Sequence, residues 1–106
     1  MQELRQRQPR AKANKYLTYI RSLPCRLCGT YQGIQAAHIR FSDFRFEKRE
    51  CGKQERPDDK WTTPLCGTCH DAQHDFGCER KFWESLKIDI AHEADQRFKH
   101  WEAYGG

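Results

Sequence analysis

Apolar positions recur at helical spacing in three places along this chain and at strand-like alternation in two, with one charged stretch that follows neither period. Tyr16, Leu17, Ile20 and Leu23 share a face of a helix over residues 10 to 23, with Lys12, Lys15 and Arg21 largely on other faces, and Pro24 ends it. From Ile34 to Arg40, Ala36, His38 and Arg40 alternate with Gln35, Ala37 and Ile39, as on a short strand. Trp61-Thr62-Thr63-Pro64-Leu65 is aromatic and β-branched and predicts a second strand, broken at the proline. A turn and short helix follow, stopped by Gly77. Phe82, Trp83 and Leu86 form one apolar stripe; Ile90, Ala94, Phe98 and Trp101 form another, with Asp89 as its N-cap. Both stripes are expected to pack into the core.

Between the strands, residues 41 to 60 carry six basic and six acidic side chains without a steady period. Loops of this length in small domains are often functional, and Arg45, Arg49, Lys53 and Arg56 are spaced to follow a phosphate backbone; the plainer alternative is a solvated insertion. Gly52 and Pro57 give the loop corners, and Asp58-Asp59 marks its return.

Composition adds a constraint. With 106 residues, 37% of them hydrophobic, there is room for one domain with a modest core that gains from a metal staple. Residues 1–14 are expected to form a basic arm, solvated and disordered in the plainer case, ahead of a single domain over 15–106. The six cysteines supply the staple's ligands: Cys25/Cys28 and Cys66/Cys69 are Cys-x-x-Cys pairs, the spacing that lets two thiolates reach one tetrahedral zinc, while Cys51 and Cys78 stand alone with no assigned role. Gly29 gives the first pair its tight turn. A disulfide framework is disfavoured because Met1–Arg7 holds no apolar run of a signal peptide, so a reducing cytoplasm is expected. A redox Cys-x-x-Cys would need the βαβ pattern that this chain lacks. No stretch approaches the apolar length of a membrane helix.

The net charge of +4 is concentrated at the start: residues 1 to 22 carry six Lys/Arg against Glu3 alone, which makes that end the expected phosphate contact. His70 and His74 lie one turn apart on the predicted helix, so both rings can reach one divalent ion. His38, tied to that helix through the zinc site, can take a proton from water at neutral pH. A base beside a metal is what phosphodiester hydrolysis needs.

The pattern Cys25-x-x-Cys28, Ala37-His38-Ile39 and Pro64-Leu65-Cys66-x-x-Cys69-His70-x-x-x-His74 resembles the HNH endonucleases, built on a ββα-metal finger. The fuller run, with Arg40, Gly52-Lys53-Gln54, Pro57-Asp58-Asp59 ahead of Trp61, and Phe82-Trp83, is similar to a phage and prophage branch of Ref-like and YbcO-like nucleases, over most of residues 15 to 90. The resemblance implies His38 as general base, His70 and His74 as ligands of a catalytic ion, and Cys25, Cys28, Cys66 and Cys69 as a structural Zn²⁺ site. Two positions depart from the family. Ala37 stands where many members carry an Asp or His ligand, and the middle Asn of the motif is absent, with Asp59 the favoured stand-in, either orienting His38 or completing the metal shell.

Sequence and resemblance together predict an α+β domain with a treble-clef-like ββα-metal core and flanking helices, acting as a DNA endonuclease in a bacterial or phage-infected cytoplasm. Arg40 is the expected phosphate clamp, following the base on the same strand face. The helix ion is expected to be Mg²⁺, Mn²⁺, Zn²⁺ or Ni²⁺: nitrogen ligands alone suit Zn²⁺ or Ni²⁺, whereas Mg²⁺ would call for Asp59 or another carboxylate beside them. The rivals are a non-catalytic zinc module that binds nucleic acid through its basic helix, and a zinc-stapled interaction piece of a phage assembly. A phage or host recombination or packaging partner is left unnamed by the sequence.

Overall fold

The computed structural model describes residues 10–46, 48 and 59–104. Among the described residues the fold is small and α+β, with four α-helices, a 3-10 turn at Phe44–Phe46 and one two-stranded sheet: α1 (Arg10–Arg21), β1 (Ile34–His38), β2 (Thr62–Cys66), α2 (Gly67–Phe76), α3 (Glu79–Ser85) and α4 (Ile90–Tyr104). Helix α1 already includes residues 10–14, which the sequence pattern also allowed as part of an arm. Among the described residues no helix is long and apolar enough to cross a membrane.

The strands pair antiparallel, with Ile34 opposite Cys66, Ala36 opposite Pro64 and His38 opposite Thr62. Pro64 was expected to break the second strand, yet β2 runs through it to Cys66. The reason is its orientation. Pro64 O accepts Arg26 N–H at 2.8 Å, so the carbonyl faces the Cys25–Cys28 turn, and the nitrogen on the same side of the strand needs no hydrogen from β1. Strand β1 stops at His38, two residues earlier than predicted, although Ile39 N–H still donates to Trp61 O at 2.8 Å.

Alternation along β1 divides the core. Ala37 and Ile39 join Trp61, Leu65, Trp83, Ile90 and Ala94 in one cluster, while Ala36 packs toward Tyr16, Ile20 and Phe98 in another. The apolar stripes of α3 and α4 are buried as the periodicity requires, except that Trp101 is only partly buried and Leu86 falls at the end of α3 and is 45% exposed. Asp89 caps α4, accepting His92 N–H at 3.2 Å, and Gly77 ends α2 at φ +101°, a conformation that favours glycine. Arg26 grips Glu93 through Nε and Nη2 at 2.6 and 2.8 Å, fastening the first cysteine turn to α4.

A buried carboxylate on α4 ties down the returning loop. Asp95 meets Lys60 Nζ at 2.8 Å and Lys99 Nζ at 3.0 Å. Burial opposes its ionisation, but the two ammonium groups outweigh it and hold the carboxyl below its usual range. This contribution is present above the unfolded carboxylate's pKa and is lost as pH falls from about 4 through the depressed folded value. Asp95→Asn is expected to cost about 3 kcal/mol at pH 7 in denaturant unfolding and less at pH 3, because the native protein has by then begun to lose the same term.

Candidate metal centre and histidine site

Four sulfurs converge where the first turn meets the end of β2. Cys25 and Cys28 come from the turn after α1, Cys66 ends β2 and Cys69 lies in the first turn of α2; their Sγ atoms all fall within 4.8 Å of one another. The Cys28–Cys66 separation is 3.7 Å, close to the edge of about 3.8 Å that a tetrahedron of Zn–S bonds of about 2.3 Å requires. The turn is built for thiolate. Leu27 and Cys28 N–H point at Cys25 Sγ at 3.4 and 3.5 Å, and Gly29 closes the loop with N–H on Cys25 O at φ +81°. Burial works against ionising Cys25, but the N–H groups of Cys28, Cys66 and Leu27 outweigh it and bring the thiol down to about 6. Burial and then the neighbouring sulfurs push Cys69 the other way. A divalent cation removes that conflict by stabilising all four thiolates at once. These four cysteines are thus positioned to hold a metal ion.

The histidines build a different arrangement. His70 Nε2 and His74 Nε2 on α2 lie 3.2 Å apart, a separation that two nitrogens on one ion with bonds of about 2.1 Å can share. His70 Nδ1 donates to Gln35 Oε1 on β1 at 2.6 Å, which fixes the proton on Nδ1 and leaves the Nε2 lone pair for a ligand. Burial first, then the nearby His74, keeps His70 below the usual histidine range; His38 adds to this and Asp71 opposes it. His70 is therefore held in the neutral form a metal requires.

On the last residue of β1, His38 Nε2 meets Asp59 Oδ1 at 2.8 Å, both groups mostly buried. Asp59 is thus the carboxylate against the imidazole, at the point where the loop returns. With the Nε2 proton on the carboxylate side, Nδ1 is the nitrogen left to accept a proton.

The remaining candidates fall as follows. Arg40 is exposed and lies beyond the strand rather than on its face; its backbone N–H donates to Glu79 Oε1 at 3.0 Å. Ala37 is only 3% exposed and offers no ligand atom, so the departure at this position is a packing residue. His70 engages Gln35 and is outside the thiol cluster, which among the described residues is the one group of three or more ligating side chains close enough to hold an ion. Cys78 is an exposed free thiol at the start of α3. Arg49, Cys51, Gly52, Lys53, Arg56, Pro57 and Asp58 lie outside the described residues. Gln35 and Glu79 were not anticipated; their relevance lies in contacts 35 and 39 residues along the chain, which no local pattern announces.

Comparison with protein-family models, with curated proteins and with solved structures finds no match.

Proposed function

We propose that this chain is a metal-dependent DNA endonuclease of the HNH type, with β1, β2 and α2 as its ββα-metal core and the four cysteines holding structural Zn²⁺. The observation that carries the proposal is the His38 Nε2–Asp59 Oδ1 contact of 2.8 Å, on a strand registered against the one that leads into the His70/His74 helix. Asp59 fixes the tautomer and orientation of the ring. Nδ1 of His38 then takes a proton from a water molecule as its oxygen attacks phosphorus, and the phosphorus–oxygen bond to the leaving sugar oxygen breaks, that oxygen gaining a proton from solvent. His70 and His74 would hold a divalent ion, which supplies charge stabilisation to the phosphate and the leaving oxygen. Arg40 and the exposed Lys15 and Arg21 of α1 would steer and hold the duplex backbone.

A non-catalytic nucleic-acid-binding module is favoured by one feature, the buried Ala37 where a ligand would help. Zinc-loaded protein incubated with supercoiled plasmid and, separately, Mg²⁺, Mn²⁺, Zn²⁺ or Ni²⁺ distinguishes the two. The endonuclease is expected to yield nicked or linear product with at least one of these ions. Retarded but uncut plasmid in every lane would favour the binding module. Absence of both cutting and salt-sensitive retardation would exclude a nucleic-acid role.

A further inference from the structure

We propose that Thr62 is a positioning residue for the His38–Asp59 pair, its hydroxyl holding the chain at Asp59 so that the carboxylate meets the imidazole; the catalytic consequence rests on the endonuclease reading above. Thr62 opens β2 and is registered directly opposite His38, the last residue of β1. Its Oγ1 donates to Asp59 O at 2.9 Å, and its N–H donates to Lys60 O at 3.0 Å. Residues 59 to 62 are thereby curled into one tight bend. The bend begins at the carboxylate and ends across the strand pair from the ring that the carboxylate contacts at 2.8 Å.

The hydroxyl sets this position apart from an ordinary strand residue. Thr62 is fully buried, and a valine would fill the same β-branched volume without a polar atom to satisfy. A buried hydroxyl contributes where it finds a partner, and here the partner is the Asp59 carbonyl. That carbonyl belongs to the peptide joining Asp59 to Lys60. A hydrogen bond to it fixes the backbone orientation from which the Asp59 side chain departs.

Helix α4 anchors the rest of the bend. Arg97 Nη1 donates to Thr62 O at 3.1 Å, and Lys60 Nζ meets Asp95 Oδ1 at 2.8 Å while lying 4.7 Å from the centre of the Trp61 ring. Loss of the Thr62 hydroxyl leaves these anchors in place and frees the peptide at Asp59. The carboxylate would then meet His38 for only part of the time, and the proton would be free to settle on Nδ1.

Long-range proton–nitrogen correlation spectra of the histidine rings, in the full, zinc-loaded chain, read the tautomer of His38 without any activity measurement. The His38 signals are identified by their absence in His38→Gln. At about pH 8, above the usual histidine range, wild type is expected to hold the proton on Nε2. Thr62→Val should shift the ratio of the two tautomers toward Nδ1–H by about fivefold to tenfold, the scale of one hydrogen bond. Thr62→Ser, which keeps the hydroxyl, should restore the wild-type ratio. Zinc content and helical circular dichroism should stay at wild-type levels in both variants, and plasmid cleavage by Thr62→Val should fall by a similar factor with DNA retardation unchanged. A wild-type tautomer ratio in Thr62→Val would overturn the role of Thr62, as would an equal shift in Thr62→Ser. Loss of zinc or helicity in Thr62→Val would make the threonine architectural and overturn the role as well. The expected tautomer shift in a protein whose wild type cuts no plasmid would support the positioning role and overturn the endonuclease reading alone.

Discussion

A Cys66→Ser chain is expected to lose its stoichiometric zinc and to be largely unfolded at 25 °C, with the helical circular dichroism of wild type collapsing in the variant and on exhaustive chelation of the native protein. The expectation follows from where the four sulfurs sit. Cys66 is the last residue of β2 and the residue before α2, so an ion held by the four sulfurs would join the turn after α1 to the strand–helix corner that leads into the His70/His74 helix. The only sheet among the described residues is a single antiparallel pair, an element that is marginal without further support. Domains of this size hold about 5–15 kcal/mol in total, and zinc binding to small thiolate sites supplies about 10–16 kcal/mol of apparent free energy. Removing one thiolate therefore threatens the whole margin. Native helicity in a zinc-free Cys66→Ser variant would show that the hydrophobic clusters suffice.

Asp59→Ala is expected to slow plasmid cleavage by about tenfold to a hundredfold while leaving zinc content and thermal stability close to wild type. Asp59 Oδ1 lies 2.8 Å from His38 Nε2, so loss of the carboxylate frees the ring to rotate and lets the proton move to Nδ1, the atom needed as acceptor. DNA retardation should persist, since Asp59 contributes no positive charge. Equal cleavage rates for Asp59→Ala and wild type would remove the carboxylate from the mechanism, whereas loss of zinc or fold would make its role architectural.

Some of this arrangement is legible in the sequence and some is not, for identifiable reasons. Two Cys-x-x-Cys pairs announce themselves because each turn is local, and their convergence needs only that the hairpin bring residue 34 beside residue 66. The helical stripes of α1 and α4 are equally local. Pro64 misleads because the rule that proline ends a strand assumes two hydrogen-bonded neighbours, and β2 has one, with the proline's nitrogen turned toward the cysteine turn. For Asp59 the sequence leaves two tasks open, orienting His38 or completing a metal shell, and its contact with His38 across 21 residues of chain is not announced by any local pattern. Gln35 and Glu79 carry no pattern at all. A glutamine on the exposed face of a strand and a glutamate opening a helix are ordinary surface residues until the fold sets one beside His70 and the other beside the Arg40 backbone. That Ala37 offers no ligand atom is plain from its identity, but its place in the core depends on which face of β1 meets Trp83 and Ala94.

As the proposed base of a phosphodiester hydrolase, His38 is the side chain on which cleavage should depend most. The most direct measurement compares zinc-loaded wild type and His38→Ala on the same supercoiled plasmid, at equal protein and with Mg²⁺ or Mn²⁺. Wild type should convert the plasmid to nicked or linear form. His38→Ala should do so at least about a hundredfold more slowly while retarding the DNA to the same extent. Plasmid left intact by both proteins, or cut equally by both, would contradict the account.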